Sequence, residues 1–130
     1  TGRHEIIANG SANYTKLYYS NGNLYFDIYD GTTTHRVYQD VSNWTSGNWY
    51  HIAATWSNNN TVNNDLSEYL ANLYVNGSDS GNTYSNVSAE TDFWTAFTPA
   101  VSYIGESSSA DNQWDGILEG LSIYNRPLSE

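Results

Sequence analysis

The sequence predicts an all-β antiparallel sandwich, a jelly roll, and three observations carry that expectation. Short alternating segments recur along the chain, separated by Asn-Gly and Asp-Gly pairs, the turn chemistry of hairpins. Aromatic residues make up 15% of the 130 residues, with 12 Tyr and 5 Trp, which favours pleated, half-buried surfaces. Charged residues reach only 14%, so Asn, Ser and Thr supply most of the polar surface and the turns.

The elements follow in order. Residues 3–8 contain Ile6 and Ile7 and read as a strand ending at Asn9-Gly10. Residues 14–20 alternate, Asn21-Gly22 turns the chain, and residues 24–30 alternate again. Here Leu24, Phe26 and Ile28 should face the core, with Tyr25, Asp27 and Tyr29 on the opposite face. Asp30-Gly31 turns into a strand over 33–41, which completes a three-stranded antiparallel meander. Residues 48–57 are apolar on both faces, as in a central strand. After an Asn-rich loop, Asp65-Leu-Ser-Glu68 matches a helix capping box, but alternation of Ala71, Leu73 and Val75 predicts a strand over 69–76, preceded by no more than a helical turn. Asn76-Gly77 should form a hairpin with a return strand over 79–84. A long loop over 88–100 holds Phe93, Trp94 and Phe97, and a short strand covers 101–105. Finally, Asp115-Gly116 opens a strand in which Ile117, Leu121 and Ile123 share one face with a single carboxylate, Glu119; Asn125-Arg126-Pro127 ends it.

Composition narrows the functional classes. A formal net charge of −10 with four Lys or Arg opposes a polyphosphate, so nucleic acid is not an expected partner. The absence of Cys removes disulfides and thiolate metal sites. No apolar run is long enough to cross a bilayer, so membrane insertion is not expected either. The chain contains no Met and starts at Thr1, which is expected of a piece of a longer or processed polypeptide.

Four stretches in order resemble one family: Gly47-Asn-Trp-Tyr-His-Ile-Ala-Ala-Thr-Trp56, Leu73-Tyr-Val-Asn-Gly77, Tyr103-Ile-Gly105, and Trp114-Asp-Gly-Ile-Leu-Glu-Gly-Leu-Ser-Ile-Tyr-Asn-Arg-Pro-Leu-Ser129. They are similar to the laminin-G-like, concanavalin A-like lectin/glucanase jelly rolls of bacterial, archaeal and viral surface proteins. The resemblance implies one domain over 1–130 that lacks the family's opening strands, so that its last strand would be an open edge. It also implies a Ca²⁺ role at Glu119, where the family carries an Asp. One carboxylate does not make a Ca²⁺ site, and Asp115 is roughly 13 Å away along a strand. The other reading of Glu119 is a rim or hydrogen-bonded side chain.

The glucanase pattern Glu-x-Asp-x-x-Glu is absent, and Asp27 and Asp30, three apart, fall on opposite faces of a strand. His4, His35 and His51 lie on separate strands, and His51 is expected to be a packed core residue. No catalytic residue is therefore assigned. For ligand binding, Trp44, Phe93, Trp94 and Phe97 offer loop aromatics of the kind that stack on sugars, whereas the face of Tyr25, Tyr29 and Tyr38 is expected to reflect cross-strand packing. Asn-x-Ser/Thr triplets start at Asn9, Asn13, Asn43, Asn59, Asn76 and Asn86 and favour an extracellular, glycosylated surface.

The expected function is a non-enzymatic extracellular recognition or adhesion module, at a cell or virion surface. It would bind carbohydrate or a glycoprotein through loops, with Ca²⁺ as its expected cofactor. The alternatives are a structural unit of a filament, S-layer or virion joined to neighbouring subunits by strand donation, or an accessory domain of a glycoside hydrolase.

Overall fold

A computed structural model of the chain describes residues 2–10, 13–29, 31–56, 71–85, 102–106 and 112–124. Eight strands are present: β1 (Arg3–Asn9), β2 (Tyr14–Ser20), β3 (Asn23–Tyr29), β4 (Thr34–Asp40), β5 (Ile52–Trp56), β6 (Ala71–Val75), β7 (Thr83–Ser85) and β8 (Ser102–Ile104). They form a six-stranded sheet in the order β7-β4-β3-β2-β1-β8 and a two-stranded sheet of β5 and β6. All pairings are antiparallel.

The meander is set locally. Asn21 and Gly22 adopt φ of 49° and 82°, the left-handed pair that a two-residue hairpin requires. That turn fixes the β2–β3 register, in which Leu17 faces Phe26 and Tyr18 faces Tyr25. One face is the inner one: Leu17, Leu24, Phe26, Ile28 and Val37 are buried together with Leu73 of β6. Trp56 of β5 lies 5.6 Å from Phe26, ring to ring, so the small sheet lies over this face. Gln39 ties the layers together. Its Nε2 donates to the Leu73 carbonyl at 2.8 Å and to Asn82 Oδ1 at 2.9 Å.

A bulge in β1 shifts the register between Glu5 and Ile7. The extra residue lets both Ile6 and Ile7 pack on the core while Glu5 pairs with Tyr18 on the outer face. Consecutive isoleucines, which a regular strand would split between two faces, are both used inward.

Several expectations need correction. The chain does turn at Asn76-Gly77, with φ of 52° and 80°, but the return strand does not pair with β6. Instead, β7 joins β4 in the large sheet, so this turn moves the chain from one layer to the other. Strand β5 is shorter than the apolar run, and among the described residues it pairs with β6 alone. His51 is exposed rather than packed; its backbone N–H is capped by Asn76 Oδ1 at 2.9 Å.

The largest difference lies in 115–124. The expected strand is absent, and Ile117 and Ile123 are 76% and 67% exposed. Residues 112–114 dock on the sheet edge, with Glu5 N–H bonding the Asn112 carbonyl at 2.8 Å and Trp114 N–H the Gly105 carbonyl at 2.8 Å. Beyond them Gly120 takes φ of 68°, which interrupts an extended run, and no neighbouring strand among the described residues accepts the backbone. An apolar alternation without a partner stays open. The capping box at 65–68 and the loop at 88–100 lie outside the described residues.

Candidate ligand-binding face

The outer face of the six-stranded sheet is built from i, i+2 pairs. Arg3 and Glu5 of β1, Lys16 and Tyr18 of β2, Tyr25 and Asp27 of β3, and Arg36 and Tyr38 of β4 all point the same way because side chains alternate along each strand. Register then assembles them in rows: Lys16, Asp27 and Arg36 in one, Glu5, Tyr18, Tyr25 and Tyr38 in the next.

The tyrosines stack across the strands. Ring centroids are 5.0 Å apart for Tyr18 and Tyr25, 5.4 Å for Tyr25 and Tyr38, and 5.1 Å for Tyr14 and Tyr29. Cations cover the rings: the Arg3 guanidinium is 3.8 Å from the Tyr18 centroid, the Lys16 ammonium 4.4 Å from Tyr14, and the Arg36 guanidinium 5.0 Å from Tyr25. The expectation of cross-strand packing on this face describes the rings well. It leaves out the charges.

Asp27 is buried and fully engaged. Arg36 Nε donates to Oδ1 and Arg36 Nη2 to Oδ2, both at 2.7 Å, and the Tyr18 hydroxyl donates to Oδ2 at 2.9 Å. Arg36 Nη2 also reaches the Tyr18 hydroxyl oxygen at 2.9 Å. This bidentate fork fixes both planes. Burial, with Asp27 beside it, pushes the Tyr18 phenol well above its ordinary value, so Tyr18 acts as a hydroxyl at any physiological pH.

Glu5 is 1% exposed. Arg3 Nε lies 2.7 Å from its Oε1, but off the N–H direction, so the pair is ionic rather than a well-aligned hydrogen bond. Glu5 Oε2 has no partner. Burial raises its pKa above the ordinary carboxylate value, opposed by the nearby Arg3 and Lys16.

The residues singled out from sequence are scattered by comparison. Trp44 is half-buried, packed on the core and stacked on Tyr50 at 4.5 Å, so one of its faces is already occupied. Phe93, Trp94 and Phe97 lie outside the described residues. Glu119 and Asp115 are both exposed, and among the described residues no group of three potential metal ligands occurs. The network of Arg3, Glu5, Tyr18, Asp27 and Arg36 was not anticipated. Its sequence signal is the charged residue two positions from a tyrosine or an opposite charge, repeated on four successive strands.

The family model described as the concanavalin A-like lectin/glucanases superfamily matches residues 1–130, and the chain belongs to that family. No curated protein and no solved structure matches the chain.

Proposed function

We propose that this lectin/glucanase-type domain is a non-enzymatic, extracellular recognition module that binds carbohydrate, free or on a glycoprotein, on the outer face of its six-stranded sheet. The observation that supports this is the cross-strand ladder of Tyr18, Tyr25 and Tyr38, held by Arg3, Arg36 and Asp27. Phenol edges and guanidinium groups in a fixed array suit the hydroxyls of a sugar, and a pre-ordered surface costs little further entropy on binding. Asp27, the carboxylate nearest to a catalytic candidate, is bound on both oxygens and suits a structural role better than acid–base chemistry.

A glycan array followed by calorimetry on the best hit tests this. Tyr38→Ala, at the end of the ladder, should weaken binding about tenfold, in line with the loss of one well-placed aromatic contact. If Trp94→Ala abolishes binding and Tyr38→Ala does not, the site belongs to the 88–100 loop instead. An EDTA arm tests the Ca²⁺ dependence proposed for Glu119: loss of binding on chelation, restored by Ca²⁺, would support it.

A second reading has its own observation. The exposed Ile117, Leu121 and Ile123 suit a structural unit that contacts neighbouring subunits by strand addition at a surface assembly. Sedimentation velocity separates the two, because a stable monomer at high concentration would remove the second.

A further inference from the structure

The Asn-x-Ser/Thr triplets have no part in the sheet face, and the fold treats them unequally. Asn59 and Asn86 lie outside the described residues. Asn9 is half-buried at the end of β1, where its Oδ1 accepts from the Ser102 hydroxyl at 3.3 Å. Asn13 is half-buried with its Oδ1 against Gly31, 2.9 Å from where a Cβ on that glycine would stand, and Thr15, which completes its triplet, is buried. Asn76 is exposed, but its Oδ1 caps the His51 N–H at 2.9 Å. Asn43 is exposed, as is Thr45, which completes its triplet, and among the described residues the Asn43 carboxamide holds no hydrogen bond. We infer that Asn43 carries an N-linked glycan. The inference rests on the extracellular part of the reading above and is independent of its ligand.

The local structure explains why this side chain is free. Residues 41–44 form a turn closed by the Trp44 N–H on the Val41 carbonyl at 3.0 Å, with Asn43 in third position. Asparagine is common in turns because its side chain bonds nearby backbone, which is the plainer reason for finding one here. Asn43 does not play that part. The side chain–backbone bond of this turn comes from Asp40, whose Oδ1 accepts the Ser42 N–H at 2.8 Å. On the far side, the Thr45 N–H donates to the Tyr50 hydroxyl oxygen at 3.0 Å, and Asn48 Nδ2 donates to Thr45 Oγ1 at 2.7 Å. The connection is held on both sides of Asn43 and not through it, so a bulky group on that nitrogen breaks none of these bonds. A chance triplet in an Asn-rich chain is the other explanation, and it predicts an unmodified Asn43.

The co-reactant is a polyprenyl-diphosphate-linked oligosaccharide, delivered by an oligosaccharyltransferase that reads the asparagine and the hydroxyl two residues on. The carboxamide nitrogen of Asn43 bonds to the anomeric carbon, and the bond from that carbon to the diphosphate oxygen breaks. The polyprenyl diphosphate leaves with the electron pair, and one amide proton passes to a base of the enzyme. Transfer takes place on the extended chain, so the fold acts afterwards as a filter: it accepts a glycan where the carboxamide is exposed and unused, and resists one where the carboxamide is packed, as at Asn13.

The test sends the whole chain through the secretory pathway of a eukaryotic cell. Glycopeptides are then released with a peptide-N-glycosidase in heavy-oxygen water, which marks each attachment asparagine for mass spectrometry. Asn43 should be marked in the secreted chain. Asn43→Gln and Thr45→Ala should each lose that mark and one glycan from the intact mass, Thr45→Ser should keep both, and Asn13→Gln should lose neither. The glycosylated chain and its enzymatically deglycosylated form should share one urea midpoint. An unmarked Asn43, a mark at Asn13 in its place, or a midpoint lowered by the glycan would overturn the inference. If the chain is retained in the cell, the retained pool gives the same reading, because transfer precedes export. Ligand binding is scored separately on a glycan array: hits with Asn43 unmarked would overturn the modification site and leave recognition standing, whereas an empty array with Asn43 marked would do the reverse.

Discussion

On the outer face of β2, β3 and β4 each tyrosine finds a ring on the neighbouring strand, whereas Ile117, Leu121 and Ile123, equally regular in their spacing, find no partner strand among the described residues. The difference is not one of intrinsic preference, since isoleucine and leucine are stronger drivers of burial than tyrosine. It lies in pairing. Residues 14–40 are joined by two short turns, so each strand meets its neighbour at small cost in loop closure. Residues 117–124 come after β8 in the chain and pair with no strand among the described residues. Polar residues in a complete ladder end up buried, while apolar residues outside one end up in water.

The largest test of that contrast is truncation of apolar side chains in the two regions. Leu73→Ala, in a side chain with no exposure beneath the large sheet, should cost about 2–5 kcal/mol by urea unfolding. Ile117→Ala should change stability by less than about 0.5 kcal/mol, because its side chain already meets solvent. Equal costs would mean that the terminal stretch packs in solution after all.

Next in size is the polar network. Asp27→Ala strands the Arg36 fork and the Tyr18 hydroxyl; since Arg36 is about one-third exposed, the expected loss is about 2 kcal/mol rather than the full cost of a deeply buried pair. Tyr18→Phe removes one hydroxyl and should cost about 1 kcal/mol. A double-mutant cycle showing no coupling between the two would mean that the network is a set of independent contacts.

The smallest effect is pH-dependent. Because burial raises the Glu5 pKa in the folded chain, the native state holds this proton where the unfolded state has released it. Glu5 therefore favours folding below its ordinary value, and that contribution is lost as pH rises through the raised one. Replacing it by Gln abolishes the loss, so Glu5→Gln relative to wild type should be more favourable at pH 7 than at pH 4. Urea midpoints at the two pH values measure it, and the opposite order would show that the Arg3 pair outweighs burial.

Much of the fold was readable from local chemistry. Asn21-Gly22 and Asn76-Gly77 announce left-handed turns, and alternation in 24–28 places Leu24, Phe26 and Ile28 in the core. The site was much less readable. Asp27 stands on the face assigned to it, but a strand pattern says only which way it points. Its burial comes from Tyr18 and Arg36, nine residues away on either side, and depends on register between three strands. Glu5 is a sharper case, because a bulge at Ile6 decides that it faces the tyrosines at all.

By itself, then, the sequence determined the elements: strand phase and turn positions follow from side-chain alternation and from the few residues that tolerate positive φ. It also determined the chain's acidity and its scarcity of cations. Only the tertiary structure decided which strands meet. That sent β7 to β4 instead of β6, gathered Arg3, Lys16 and Arg36 on one aromatic face, and left residues 117–124 without a partner strand among the described residues. Local geometry is encoded residue by residue, whereas pairing is a competition among distant segments for the same hydrogen-bonding edges, and no segment carries the outcome within itself.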